Sequence, residues 1–371
     1  MPTLIKRSAI HEDLLEALRA QVIETKKSGT PIGSEHEISR QWHLSRHAVR
    51  KAIDQLVREG LVQRQPGRGL FTSASAVRTI QVVAGKLAWE TMGWLTTGIQ
   101  DLAKERGVRI QTYDAHGSFE ADIAAIQNLP ESDAVGALIV SLHNRCFGEA
   151  LFDLKRKGFP FVVVDDILSE LNAPTVCTDN YAGGNMAGRE LLALGHRRIG
   201  FMGDLVARTV QARLEGLRDA INDAGVAFDR SLIRDVKEEN NRLGDWSKDV
   251  ATCARELLGR ADRPTAIFCS CDAIAASLYP VARDMKLQIG RDISLVGFDD
   301  ASFCTLLDPP LATVRQPMAE VGKVALGVLL NLLQQPGGFF EARMVPVEWV
   351  PRTSVGPRFA GRPHPLINAP G

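Results

Sequence analysis

Ser45-Arg46-His47-Ala48-Val49-Arg50-Lys51-Ala52-Ile53, running on through Leu56 and Val57 to Gly60, and then Gln65-Pro66-Gly67-Arg68-Gly69, decide the fold of the N-terminal part of this chain. Val49, Ala52, Ile53, Leu56 and Val57 recur at helical spacing, so they make one buried stripe, and Arg46, His47, Arg50 and Lys51 fall on the other side. Ser45 stands where an N-cap belongs. Upstream, Ser34-Glu35-His36-Glu37 has the spacing of a capping box, which predicts a short helix over about 34–42. Before it, Ile10, Leu14, Leu15, Leu18, Val22 and Ile23 predict a helix over 9–27 that stops near Ser28-Gly29, and Pro31 begins the next connection. Downstream, Leu61 to Arg64 and Leu70 to Thr72 read as two short strands around the glycine-flanked tip at Arg68. Three helices followed by a hairpin make a winged helix-turn-helix. A helix whose first turn is cationic presents arginines where base edges lie in a major groove, and a glycine-rich tip lets backbone amides and Arg68 approach phosphates and the minor groove.

The charge distribution agrees. The 371 residues hold 44 basic and 44 acidic side chains. Residues 1–75 hold 12 Lys/Arg against 8 Asp/Glu, a net of +4, and the remainder holds 32 against 36, a net of −4. The basic end is the candidate polyanion binder. No apolar run reaches the roughly 18 residues of a membrane helix, and Met1 to Arg7 lack the apolar core of a signal peptide, so a cytoplasmic protein is expected, away from membranes. Cys146, Cys177, Cys253, Cys269, Cys271 and Cys304 are scattered, which favours free thiols; Cys269 and Cys271 lack a second pair at zinc-ligand spacing, and no metal or cofactor is expected.

These N-terminal residues resemble the GntR family of bacterial regulators, whose DNA-binding half follows P-S-E-R-E-L-A, then S-R-x-T-V-R-x-A-L, then a Q-G-R-G-T-F wing. The matching segments are Gly33-Ser34-Glu35-His36-Glu37-Ile38-Ser39, Ser45 to Ile53, and Pro66-Gly67-Arg68-Gly69-Leu70-Phe71. The resemblance implies DNA contacts from Ser45, Arg46, His47, Arg50, Gly67 and Arg68. His36 replaces an arginine that commonly touches DNA, and Ala48 replaces a frequent Thr, which bears on the operator sequence. For any single arginine, a solvated surface charge is the competing reading.

After the small-residue connector Ser73-Ala74-Ser75-Ala76, apolar runs alternate with helical stretches. The runs are 80–84, 108–113, 137–141, 161–165, 175–178, 199–202, 266–270 and 294–298. They are continuously apolar rather than alternating, as parallel strands covered on both faces are. So many βα units predict an α/β domain of two doubly wound lobes, with ligand-binding residues just past the strands' carboxyl ends. Val176-Cys177-Thr178-Asp179-Asn180, Leu194-Gly195-His196-Arg197-Arg198-Ile199, Arg263-Pro264-Thr265-Ala266, Val296-Gly297-Phe298-Asp299-Asp300 and Asp308 to Pro317 resemble the LacI/GalR family of sugar-responsive regulators and the periplasmic binding-protein fold. The resemblance places the head at 1–75, the effector domain at 76–357 and a tail at 358–371. It puts the N-lobe at about 79–176 and 317–338, and the C-lobe at about 177–316 and 339–357, with crossings near 176, 316 and 338.

A sugar pocket needs a flat apolar face for the ring and forked charged groups for its hydroxyls. By the same resemblance Arg213 is the donor fork, Trp246 the stacking platform, Asp299 and Asp165 acceptors, and Cys271-Asp272 stands where the family has Asn-Asp. Lys86, Trp89, Glu90 and Trp94 follow the first strand of the N-lobe. Each has a plainer alternative: Trp246 as a helix-start core residue, Asp299 as a turn cap, Arg213 as an inter-lobe ion pair. The expected activity is a transcription regulator, a repressor whose small-molecule effector, a sugar, releases it from double-stranded DNA; a purine is the alternative effector. An enzyme is disfavoured, because the Asp165-Asp166 and Asp299-Asp300 pairs put adjacent side chains on opposite faces and no nucleophile or base motif accompanies them. A transport binding protein is disfavoured by the DNA-binding head. A homodimer is expected, with the helices of Val321 to Leu333 and Thr96 to Arg106 as contributors, although core packing accounts for their apolar faces equally well. Gly183-Gly184 and Gly188 lack dinucleotide-loop spacing and read as packing glycines at a helix start.

Overall fold

The computed structural model describes residues 14–15, 17–19, 22, 30–58, 60–73, 78–85, 89–114, 118–140, 147–166, 171–237, 247–335 and 342–358. At the N-terminus Leu14, Leu15, Leu18 and Val22 are helical and buried, the face their spacing predicts. Helix α1 (Glu35–Gln41) opens on the capping box: Ser34 Oγ accepts from the Glu37 amide, and the Ser34 amide donates to Glu37 Oε2 at 2.7 Å. Helix α2 (Arg46–Arg58) starts where Ser45 Oγ accepts from the Ala48 amide at 3.3 Å. It buries Val49, Ala52, Ile53 and Leu56 in one cluster with Leu14, Leu15, Leu18, Val22 and Ile38. One strand escaped the sequence reading. β1 (Pro31–Gly33) joins the wing strands β2 (Val62–Gln65) and β3 (Gly69–Thr72) in the order β1-β3-β2. Three residues that include a proline and a glycine show no alternation to recognise; the strand is held through Thr30 and Thr72, whose amides and oxygens pair at 2.8 and 2.9 Å.

The remaining chain forms two six-stranded sheets. The N-lobe sheet runs β14-β8-β7-β6-β4-β5 and is wholly parallel. Its strands are β4 (Thr79–Ala84), β5 (Arg109–Asp114), β6 (Ala134–Val140), β7 (Phe161–Val164), β8 (Thr175–Thr178) and β14 (Arg343–Val345). Helices α3 (Glu90–Arg106) and α10 (Met318–Gln334) cover one face, and α4 (Phe119–Asn128) and α5 (Gly148–Arg156) the other, which is why both faces of each strand are apolar. The C-lobe sheet runs β10-β9-β11-β12-β13-β15. It contains β9 (Ile199–Gly203), β10 (Ile233–Asp235), β11 (Ala266–Cys269), β12 (Ser294–Asp299), β13 (Ala312–Arg315) and an antiparallel edge, β15 (Glu348–Val350). Helices α6 (Asn180–Ala193) and α7 (Arg208–Asp223) pack with one core, α8 (Ser247–Leu258) and α9 (Asp272–Asp284) with the other.

The lobe boundaries differ from the expected ones in two places. β8 pairs with β7 and β14, so residues 177–178 belong to the N-lobe sheet and the first crossing follows them. β14 also belongs to the N-lobe, and the third crossing falls between Val345 and Glu348 rather than near 338. Strands of three residues are set by pairing with a neighbour, not by local pattern, and pairing is invisible in one dimension. The apolar faces of α3 and α10, offered above as dimer surfaces, are turned toward each other and the sheet: Met92, Leu95, Ile99, Val321, Ala325 and Leu329 are all buried in one core. Among the described residues no helix is long and apolar enough to cross a membrane.

Candidate DNA-binding and effector sites

In the head, Ser45, Arg46, His47 and Arg50 line the exposed first turns of α2, with His36 beside them on α1. Arg46 and Arg40 each bring Nη2 to 2.9 Å from a ring nitrogen of His36. A neutral imidazole has one acceptor nitrogen, so only one of these approaches is a hydrogen bond in a given tautomer. Arg50 Nε donates to Glu35 at 3.1 Å, and Arg64 reaches the same carboxylate at 3.1 Å and Asp54 at 2.6 Å. Arg64 and Glu35 were not among the sequence candidates; a long-range ion pair leaves no local signal. At the wing tip Gly67 and Gly69 adopt φ of 73° and 101°, left-handed values that L side chains resist, and they frame exposed Arg68, whose guanidinium lies 5.5 Å from the Phe71 ring centroid.

In the sensor, Asp165, Asp299 and Cys271 are the effector candidates that gather around Arg213. It leaves α7 almost fully buried and its guanidinium lies over the Phe298 ring, 3.6 Å from the centroid, a cation–π contact at close range. Nε donates to Asn180 Oδ1 at 2.8 Å, and Nη1 donates to the Ser270 carbonyl. Two of the three guanidinium nitrogens are thereby held.

Asp299 and Asp165 face it from the ends of β12 and β7. Both have positive φ, 124° and 62°, a backbone strain that the surrounding fold holds in place. Burial pushes the Asp299 carboxyl up to about 8, helped by the nearby Asp272 charge and opposed by Arg213 and Gln316. Asp165 is pushed up to about 6 by burial, with Arg213 opposing and Asp166 adding to the rise. Burial likewise pulls Arg213 below its usual range against the pull of Asp299 and Asp165. Gln316 Nε2 donates to Asp299 Oδ1 at 2.5 Å, while Gln316 Oε1 and Asp165 Oδ1 are buried acceptors without a protein donor.

Other candidates are placed differently. Asp272 is fully buried and spent inside the C-lobe: it accepts from the Ala301 amide at 2.8 Å and the Thr313 hydroxyl at 2.7 Å. Cys271, the residue before α9, is near Arg213 and Asp299, and burial raises its thiol to about 12, so it is neutral. Trp89 and Trp94 pack on the N-lobe core. Trp94 also lines a cavity of 430 Å³ beside the second crossing with Arg315, Gln316 and Pro317. Glu90 spans the cleft, its Oε2 accepting from the Ser302 amide of the C-lobe at 3.0 Å. A second inter-lobe tie joins Arg208 to Asp166 at 3.3 Å. Lys86 and Trp246 lie outside the described residues. Sequence reasoning missed Gln316, Asn180 and Phe298, although the first two follow strand ends and the same rule would have found them.

Residues 10–72 match the model of the bacterial regulatory proteins of the gntR family, and residues 189–355 match a periplasmic binding protein-like domain. The chain is 30% identical over 322 residues to the arabinose metabolism transcriptional repressor of Geobacillus stearothermophilus, covering 83% of this chain and 86% of that protein. The chain belongs to the GntR family of regulators, with a periplasmic-binding-protein-like sensor. The regulator is also 34% identical over 201 residues to the ribose operon repressor of Haemophilus influenzae, across 53% of this chain and 58% of that one. Among solved structures it resembles a LacI family transcriptional regulator from Enterococcus faecium with bound ribose, with TM-score 0.64 and 27% identity over 76% of this chain and 100% of that one. The regulator is thus a DNA-binding transcription factor under effector control, as its relatives are, and its sensor fold serves binding rather than catalysis.

Proposed function

We propose that this regulator is a cytoplasmic, homodimeric repressor whose effector is a monosaccharide held at Arg213, Asp299, Asp165 and Gln316, and whose operator is read by Arg46, His47, Arg50, Arg68 and their neighbours Ser45, His36 and Gly67. One observation carries the effector reading: beside the clamped guanidinium stand two buried acceptors, Asp165 Oδ1 and Gln316 Oε1, with no protein donor. Buried acceptors without donors are costly, and sugar hydroxyls are donors of the right kind. Related repressors named for arabinose and ribose support the same class. Closure of the lobes on the sugar changes the spacing of the paired heads, and the operator demands half-sites a fixed number of ångströms apart, so the sugar releases DNA.

The test is a thermal-shift screen of the whole chain with L-arabinose, D-ribose and nucleosides, followed by gel shifts on its upstream promoter DNA. Stabilisation by a pentose together with pentose-dependent release of DNA is the expected result. Stabilisation by nucleosides alone would replace the sugar with a nucleobase ligand, and tighter operator binding with effector would reverse the direction of control.

A further inference from the structure

The Gly183-Gly184 pair on α6 has no part in the reading above, yet each glycine touches one member of the Arg213–Phe298 stack. An ideal Cβ built on Gly184 would lie well inside contact distance of the Arg213 carbonyl oxygen, and 2.8 Å from the Arg213 Cα. A Cβ on Gly183 would meet the Phe298 ring at 2.6 and 3.0 Å. Contacts of that kind are closer than side-chain carbons tolerate, so any side chain at either position must displace what it meets. Gly216, one turn beyond Arg213 on α7, answers from the other side: its Cβ would collide with the Tyr181 carbonyl of α6. The two helices are therefore in backbone contact at the level of Arg213. The same turn of α6 supplies Asn180, whose Oδ1 takes the Arg213 Nε hydrogen bond.

Glycine is a poor helix former, so consecutive glycines in the first turns of a helix weaken it unless close approach requires them. The N-lobe shows the packing half of this device without the functional half. Gly98 of α3 meets the backbone of half-buried Ala319, and Gly322 of α10 meets that of buried Leu95. In the C-lobe the residue touched is Arg213.

We propose that Gly183 and Gly184 are positioning residues for effector recognition: by lacking side chains they set how near α7 and Phe298 come to α6, and so where the Arg213 guanidinium is held over the ring and pointed into the cleft. This rests on the assignment of Arg213 to the effector site. A binding site loses function when its supporting shell is loosened by a fraction of an ångström to an ångström, and here the shell is a backbone-to-backbone contact with no slack.

The experiment compares four full-length variants by calorimetric titration with L-arabinose and D-ribose, below their melting temperatures: Gly184→Ala, Gly183→Ala, Arg213→Ala and Gly195→Ala. Gly195 lies past the far end of α6, has φ of 88°, and its Cβ would press the Arg358 carbonyl at 2.6 Å, so its substitution disturbs the same lobe remote from Arg213. Gly184→Ala and Gly183→Ala should weaken sugar binding on the order of tenfold or more, whereas Gly195→Ala lowers the melting temperature but leaves the affinity within about twofold. Equal affinity losses in Gly184→Ala and Gly195→Ala would reduce the glycines to general packing and overturn the proposal. Loss of binding in Arg213→Ala with wild-type affinity in both Gly183→Ala and Gly184→Ala would overturn it while leaving the effector site standing. Retained binding in Arg213→Ala would remove the site itself. Crystal structures of the ligand-free Gly184→Ala and Gly183→Ala proteins give a second readout independent of the sugar: Arg213 should leave its place over Phe298 or lose its bond to Asn180, and an unmoved Arg213 in both overturns the proposal.

Discussion

The two arginine-bearing sites of the molecule are built on opposite principles. In the head, Arg46, Arg50 and Arg68 are exposed; His36 and Glu35, which hold the first two, are exposed and half-buried, and Arg68 lies out over the buried Phe71 ring. Exposed ion pairs contribute on the order of 0–1 kcal/mol, so such an arginine can exchange its partner for a phosphate or a guanine edge at little cost. In the sensor, Arg213 is buried, held through Nε and Nη1 and stacked on Phe298. It is pre-organised, and Asp165 Oδ1 and Gln316 Oε1 are buried acceptors without a protein donor. DNA recognition must adapt to a long, variable surface, whereas metabolite recognition must be rigid to discriminate among similar rings.

The comparison is broken most directly at Arg213. Arg213→Ala should abolish the sugar response at a cost of about 2–5 kcal/mol in effector affinity, because the cleft loses its charged donor fork and Asp165 its buried counter-charge, while operator binding without effector persists. Gel shifts with and without sugar read both quantities. Arg213→Lys should not restore the response, since a lysine cannot hold Asn180, Ser270 and a ligand with one planar fork. In the head, Arg46→Ala or Arg50→Ala should each cost about 1–3 kcal/mol of operator affinity and leave sugar-induced stabilisation intact. Unchanged operator binding in both variants would remove α2 from the groove.

The acidic members of the cleft give a subtler difference. Burial pushes the Asp299 carboxyl up to about 8 and that of Asp165 up to about 6, against 3.8 for the ordinary carboxyl. A carboxyl that keeps its proton longer when folded makes the unfolded chain the weaker proton binder, so stability falls as pH rises from the unfolded value through the folded one. Urea midpoints of the ligand-free protein should therefore decline between about pH 4 and pH 8, and Asp299→Asn should flatten the decline. A slope unchanged by that substitution would show that Asp299 ionises normally. The smallest effect belongs to the ties across the cleft. Glu90→Ala or Arg208→Ala removes a partially exposed tie across the cleft and should change effector affinity by no more than about 1 kcal/mol, sharpening the distinction between ligand contacts and lobe contacts.

Much of this architecture is legible along the chain. The period of Val49, Ala52, Ile53 and Leu56, the Ser34–Glu37 capping box and the two wing glycines depend on residues within a few positions of one another, and the structure has them as read. The apolar strands of both lobes are equally local. What local pattern does not contain is pairing. β1, β14 and β15 are three residues each and exist because a neighbouring strand receives them, which moved the third crossing. In the cleft, Asp272 and Asp299 look alike as acids beside strand ends, yet one is consumed by Ala301 and Thr313 and the other faces Arg213.

The sequence by itself determined that the chain has a helix-rich basic head with a wing and a two-lobed α/β sensor, because helical period, capping and strand hydrophobicity are short-range properties. Only the tertiary structure decided which acids ring Arg213, that Gln316 and Asn180 join them, and that α6 must be bare at Gly183 and Gly184. Those are matters of distance between segments far apart in the chain, and distance is set by packing.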